Sequence, residues 1–211
     1  MHAGVSVGPD GATHQALEDI AMMRALPNMV VLSPCDSEEG RKATLAAAKT
    51  NTPVYLRFGR EKSPIMTTAG TPFEIGKAVL CWRSEKKTDV LIIATGPLVH
   101  NALLASREQE KENVGAVVLN VHTIKPLDRE TILREARSAG AVVTVEEHQV
   151  HGGLGGAVAE HLAAELPTPV EFIGMQDRFG QSGEAKELIE HYGMGLSHIA
   201  AAAKKVIARK K

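Results

Sequence analysis

Apolar positions along this chain fall into short unbroken blocks, and each block is followed by a stretch with helical spacing. Residues 90–95 (VLIIAT), 115–121 (GAVVLNV) and 140–146 (GAVVTVE) are nearly continuous apolar runs. The spacing predicts helices over 98–109, 129–139 and 155–166 after these blocks, with Asp128 as the N-cap of the second. A fourth strand over 170–173 and helices over 185–191 and 196–208 complete the pattern, and 73–80 reads as an edge strand. Apolar strands alternating with helices predict a mostly parallel sheet covered on both faces.

The first part of the chain is less regular. Residues 29–32 form a short strand closed by Ser33-Pro34, and a helix follows over 37–49 with Ser37 as N-cap and Glu38 and Glu39 in its first turn. Residues 53–58 (PVYLRF) alternate as a strand, and a helix is predicted over 15–26. This is too few elements for an open α/β sheet. Residues 59–72 (GREKSPIMTTAGTP) are rich in Gly, Pro, Thr and charge and read as a linker. The expected organisation is therefore an incomplete α/β segment at 1–58, a linker at 59–72 and a compact α/β domain at 73–211.

Composition narrows the function classes. Hydrophobic residues make up 44% and charged residues 23%, an ordinary globular balance, and aromatics only 3%. The formal charge of -1 gives no field for holding nucleic acid or an anionic membrane. The one basic cluster, Lys204, Lys205, Arg209, Lys210 and Lys211, reads as a helix C-terminus with cations at the negative dipole end. Cys35 and Cys81 form no disulfide framework, so a reducing cytoplasm is expected. No apolar run is long enough to span a bilayer, and no signal peptide is expected.

Candidate chemistry concentrates near the N-terminus. Gly8-Pro9-Asp10-Gly11 has strong turn character, and Asp10, Thr13 and His14 follow before the predicted helix. A carboxylate, a hydroxyl and an imidazole there could bind sugar hydroxyls and move protons. The plainer account is that Asp10 shapes the loop and Thr13 caps the helix. Two further stretches are look-alikes. Gly152-Gly153-Leu154-Gly155-Gly156 lies between strand and helix, but Val158 breaks the dinucleotide pattern, so close backbone packing is preferred. Glu146, Glu147, His148 and His151 offer ligand types, yet neighbouring strand residues point to opposite faces.

Gly8-Pro9-Asp10-Gly11-Ala12-Thr13-His14-Gln15, followed by Glu18, Leu26-Pro27-Asn28-Met29 and Ser33-Pro34-Cys35-Asp36, resembles the pyrimidine-binding domain of transketolase-like enzymes. The stretches 91–96, 118–128 and 145–148, with 152–156, resemble the transketolase C-terminal domain, so the resemblance covers nearly the whole chain. It implies an enzyme that transfers a two-carbon ketol unit between phosphosugars, as in pentose phosphate metabolism, with thiamine diphosphate and Mg as cofactors. It also implies that Asp10 bonds the hydroxyl beside the reacting carbonyl, and that His14 binds substrate oxygens and assists proton transfer. Thr13 accompanies them in the substrate site. Arg57, at the end of the PVYLRF strand, takes the place of a phosphate-binding arginine, and Arg60 is its alternative.

The family's cofactor-activating glutamate lies upstream of the Asp10 loop, and its Mg-binding Gly-Asp-Gly motif lies in another domain. Both cofactors are thus expected to be held mainly by parts absent from this chain, and no metal ligand is assigned here. The expected partners are an N-terminal transketolase subunit or domain and further copies of this chain. The isolated chain is expected to be inactive. A deoxyxylulose phosphate synthase, a 2-oxo acid dehydrogenase beta-subunit fragment and a non-catalytic assembly module remain the alternatives.

Overall fold

The computed structural model describes residues 2–210. Lys211, the last member of the basic cluster, lies outside the described residues. The helices are α1 (Asp19–Ala25), α2 (Ser37–Ala47), α3 (Val99–Lys111), α4 (Arg129–Ala139), α5 (Leu154–Glu165), α6 (Ala185–His191) and α7 (Leu196–Ile207). The strands are β1 (Val30–Leu32), β2 (Val54–Leu56), β3 (Val79–Arg83), β4 (Val90–Ala94), β5 (Ala116–Asn120), β6 (Thr123–Lys125), β7 (Val142–Gln149) and β8 (Val170–Met175). The chain is mixed α/β, as expected.

Five strands form one sheet in the order β3-β5-β4-β7-β8. Only β3, at the edge, runs antiparallel. Strands β4 and β5 are buried at every position, which explains their unbroken apolar character. Successive side chains go to opposite faces. Val90, Ile92, Ala94 and Val118 pack with Ala102, Ile199 and Val206 of α3 and α7. Leu91, Ile93, Val117 and Leu119 pack with Ile132, Leu154 and Leu162 of α4 and α5. Each such Leu or Ile contributes about 1.5–3 kcal/mol on burial.

A second sheet of three strands runs β2-β1-β6. Its β6 was not expected. Val31 pairs with Lys125 and Leu32 with Thr123, so a strand from the later part of the chain completes the sheet of the earlier part. The cores are shared too. Val5, Leu17 and Cys35 join the cluster on one face of the large sheet, and Ile20 and Val31 join the other.

Several local expectations shift. The helix expected over 15–26 begins only at Asp19, because Ala3 and Ala16 form a bridge and Gly4 N–H donates to Ala16 O, which keeps that stretch extended. The N-cap of α2 is Asp36 rather than Ser37: its Oδ1 accepts from Glu39 N at 2.8 Å. Its Oδ2 accepts from Met66 N and Thr67 N, tying the stretch after Arg60 to this helix. The edge strand expected over 73–80 is displaced to β3, since a turn from Glu74 to Lys77 with Gly76 at φ +89 precedes it. Asp128 caps α4 as expected. Among the described residues no helix is long and apolar enough to cross a membrane.

Candidate functional site

The loop carrying Asp10 and His14 is built by glycines. Gly4 has φ +84, and a Cβ there would lie 2.3 Å from Glu147 Oε2. This close approach lets Ser6 N–H donate to Glu147 Oε2 at 3.1 Å, which fixes the chain to the end of β7. Gly8 and Gly11 also have positive φ, and Gly11 N–H and His14 N–H close successive turns onto Gly8 O and Gly11 O. The result lifts Asp10, Thr13 and His14 to the surface, where all three are exposed.

There the polar side chains meet. Asp10 Oδ2 pairs with Arg60 Nη1 at 2.5 Å. Thr13 Oγ1 and His14 Nδ1 lie 3.0 Å apart. The rings of His14 and His2 sit edge to face, 6.3 Å between centroids. The hydrogen bond from Arg60 holds the Asp10 carboxyl below the usual carboxylate range, and the positive side of His14 and His2 adds to this. Asp10 is therefore a carboxylate acceptor at neutral pH, beside two imidazoles and a guanidinium. That group can bind hydroxyls and an anionic tail and can move a proton. Thr13 does not cap a helix, since α1 starts six residues later at Asp19. His2 was missed by sequence reasoning: it lies outside the motif, and only the Ala3–Ala16 bridge brings it beside His14.

Arg57 lies apart from this exposed group. It is 4% exposed. Its Nε donates to Asp19 Oδ2 at 2.8 Å, and its Nη2 donates to Ala16 O, Asp19 Oδ1 and Glu147 O. Burial pulls the Asp19 carboxyl upward, but the charge and hydrogen bond of Arg57 and the Tyr55 hydroxyl bring it below its usual range. The Nε and Nη2 donors are thus used on a buried seam. Arg60, three residues on, does lie at the exposed cluster.

The two look-alikes resolve as structure. Glu146 is fully buried, and its carboxylate accepts from Leu154 N at 2.7 Å and Gly155 N at 2.8 Å, capping α5. Burial pushes it up to about 7 despite these bonds. Burial likewise lowers His148 to about 4, helped by the charge of Arg57. The glycines allow contact: a Cβ at Gly153 would meet Glu146 Oε2 at 2.1 Å, and one at Gly155 would meet Phe172 at 2.7 Å. Among the described residues no group of three His, Cys, Asp or Glu side chains is arranged to hold a metal ion.

Residues 1–65 match the model of the transketolase pyrimidine binding domain, and residues 81–199 that of the transketolase C-terminal domain. The chain is 41% identical over 207 residues to the 6-deoxy-6-sulfo-D-fructose transketolase subunit SqwH of a Clostridium species, covering 98% of this chain and 63% of that protein. It is 36% identical over 209 residues to human transketolase, covering 99% of this chain and 33% of that protein. A solved structure titled as a split gene transketolase, inactive beta4 tetramer, superposes with a TM-score of 0.91 at 42% identity, covering 100% of this chain and 66% of that one. The chain thus spans less than two thirds of the length of each of these relatives.

Proposed function

The chain belongs to the transketolase family and corresponds to the C-terminal section of its enzymes, and from that premise we propose that it serves ketol transfer between phosphosugars as one part of a split enzyme. The observation that carries this reading is the exposed cluster of His2, Asp10, Thr13, His14 and Arg60. In this reading Asp10 accepts a hydrogen bond from the substrate hydroxyl next to the reacting carbonyl. His14, steadied by Thr13, binds a substrate oxygen and moves a proton there. Arg60, with His2 near it, holds the phosphate, the role first expected of Arg57.

Thiamine diphosphate with Mg would supply the bond-breaking chemistry when bound, and we assign both mainly to an N-terminal partner. We read 1–58 as a partial pyrimidine-binding domain, 59–72 as a linker and 73–211 as the C-terminal domain. Self-association and a reducing cytoplasm complete the proposal. The 42% identical solved relative, titled an inactive tetramer, supports the view that this kind of chain needs its partner to act.

Calorimetric titration of thiamine diphosphate with Mg into the chain, alone and with a candidate N-terminal partner, tests this. Binding and ketol transfer that require both chains support the split enzyme. No binding in either case leaves a non-catalytic assembly module.

A further inference from the structure

The loop bearing Asp10 and His14 rests on a turn from the far end of the chain. Gln15, next to the exposed His14, is itself only 5% exposed. Its Nε2 donates to Val5 O at 3.1 Å and to Gln181 O at 3.0 Å, so both amide protons are used. Its Oε1 is buried without a hydrogen-bond partner and is held by shape instead. A Cβ on Gly180 would lie 1.6 Å from that oxygen, and nothing in the backbone conformation of Gly180 otherwise requires glycine. Gly11 faces Ser182, where an added Cβ would lie 2.5 Å from Oγ, and Gly8 faces Gly183 O at 3.2 Å in the same sense.

The turn is fixed in its own right. Gln149 Nε2 donates to Arg178 O at 2.8 Å, and Gln149 Oε1 accepts from Asp177 N at 3.0 Å. The Tyr192 hydroxyl donates to Phe179 O at 3.2 Å. A firm turn of the C-terminal domain thus meets a glycine-built loop through one buried amide.

We propose that Gln15 and the turn at 180–183 form the seat of the substrate loop, which makes Gln15 a positioning residue and gives the C-terminal domain a direct part in setting the geometry of Asp10 and His14. The link to catalysis rests on the functional reading above; the seat itself does not. Gln15 touches no substrate. It acts by holding Val5 and Gln181 together, so that the turns closed by Gly11 and His14 stand at one height above the surface.

Amide hydrogen exchange on the intact chain tests the seat. Gln15→Ala is expected to lower protection of the Gly11 and His14 amides about tenfold while leaving the β7 amides unchanged. Gly180→Ala is expected to do at least as much, by displacing the Gln15 amide. The double variant should be no worse than Gly180→Ala alone, because removing the amide clears the space. Gln181→Ala should be silent, since the acceptor is a main-chain oxygen. Additive losses in the double variant, or unchanged loop protection in Gln15→Ala, would overturn the seat. Inorganic phosphate, followed through the ring resonances of His2 and His14, then reads the consequence. Weaker phosphate binding in Gln15→Ala at unchanged global stability supports positioning, and equal binding refutes it. A wild-type chain with no response to phosphate counts against the sugar-phosphate reading, while the exchange data alone still decide the seat.

Discussion

Arg57 and Arg60 lie three residues apart, and each pairs with a carboxylate, yet their surroundings give the two pairs opposite jobs. The Arg57–Asp19 pair has side chains 4% and 7% exposed, and Arg57 Nη2 also donates to the carbonyls of Ala16 and Glu147. The Arg60–Asp10 pair is 40% and 32% exposed. In the first, two charges have left water and are compensated by each other, by the Tyr55 hydroxyl and by two main-chain carbonyls. In the second, water competes throughout, so the pair adds little to stability and stays available to a ligand. The same chemical pair is thus a structural seam in one place and a candidate binding group in the other.

Removing the buried arginine should have the largest effect. Arg57→Met is expected to leave Asp19 buried and unpaired, at a cost of about 3–5 kcal/mol. Urea unfolding should show this as a lower midpoint with an unchanged slope. A change of less than about 1 kcal/mol would mean that the seam is not the structural element described here.

Acidification probes the buried region by another route. His148 and His122 are each held at about 4 by burial, below an ordinary value of 6.5. Their neutral forms fit the fold, so their contribution is present above pH 6.5 and is lost as the pH falls through about 4. Glu146 works the other way. Raised from 4.5 to about 7, it contributes fully below pH 4.5 and loses that contribution as the pH rises through about 7. Each shift corresponds to roughly 3 kcal/mol at most. Burial raises Glu39 and Glu147 as well, so opposing groups share the wild-type slope and single variants are needed to separate them. Relative to wild type, Glu146→Gln should be less stable at pH 4.5 than at pH 7 and His148→Gln more stable at pH 4 than at pH 6.5, as thermal melts across the pH range would show. A His148→Gln variant whose midpoint follows the wild type at every pH would contradict the assignment.

The sequence made the large sheet readable and the seam unreadable, for physical reasons. Strands β4, β5 and β7 are buried on both faces, so their apolar runs announce them. Helix α4 carries its own start signal in Asp128 and its own stop in Gly140, which takes a left-handed conformation. By contrast, β6 exists only because Val31 and Leu32 offer it an antiparallel edge, and nothing local in 123–125 encodes that partner. The motif around Asp10 and His14 was legible as a motif. Which arginine faced it was not, since Arg57 follows β2 directly and turns inward onto Asp19, a contact set by tertiary structure. His2 carried no signal at all, being placed by a bridge between residues far apart in the sequence pattern.

The exposed region should respond in function rather than in stability. His14→Ala, in the assembly with its N-terminal partner, is expected to reduce ketol transfer about 100-fold, the usual scale for losing a positioned proton-transfer group. The melting midpoint should hardly move, because the ring touches the exposed Thr13 and His2 at the surface and no core residue. A lowered midpoint with unchanged turnover would reverse the roles given to the two regions.

The smallest effect is also the most selective. If Arg60 holds the substrate phosphate while Asp10 holds a hydroxyl, then Arg60→Met should raise KM for a phosphorylated sugar about tenfold and leave kcat nearly unchanged. The non-phosphorylated sugar should show almost no difference between wild type and variant, since it never used the guanidinium. Arg60→Lys should recover part of the loss, because an ammonium keeps the charge and loses the fork. Removing Arg60 also frees Asp10 from its main hydrogen-bond donor, so the Asp10 carboxyl should titrate at higher pH than in the wild type. The acid limb of the ketol-transfer pH profile should then move upward in Arg60→Met. Equal losses for both sugars would mean that Arg60 acts only by orienting Asp10, and the phosphate would have to be held elsewhere in the assembly.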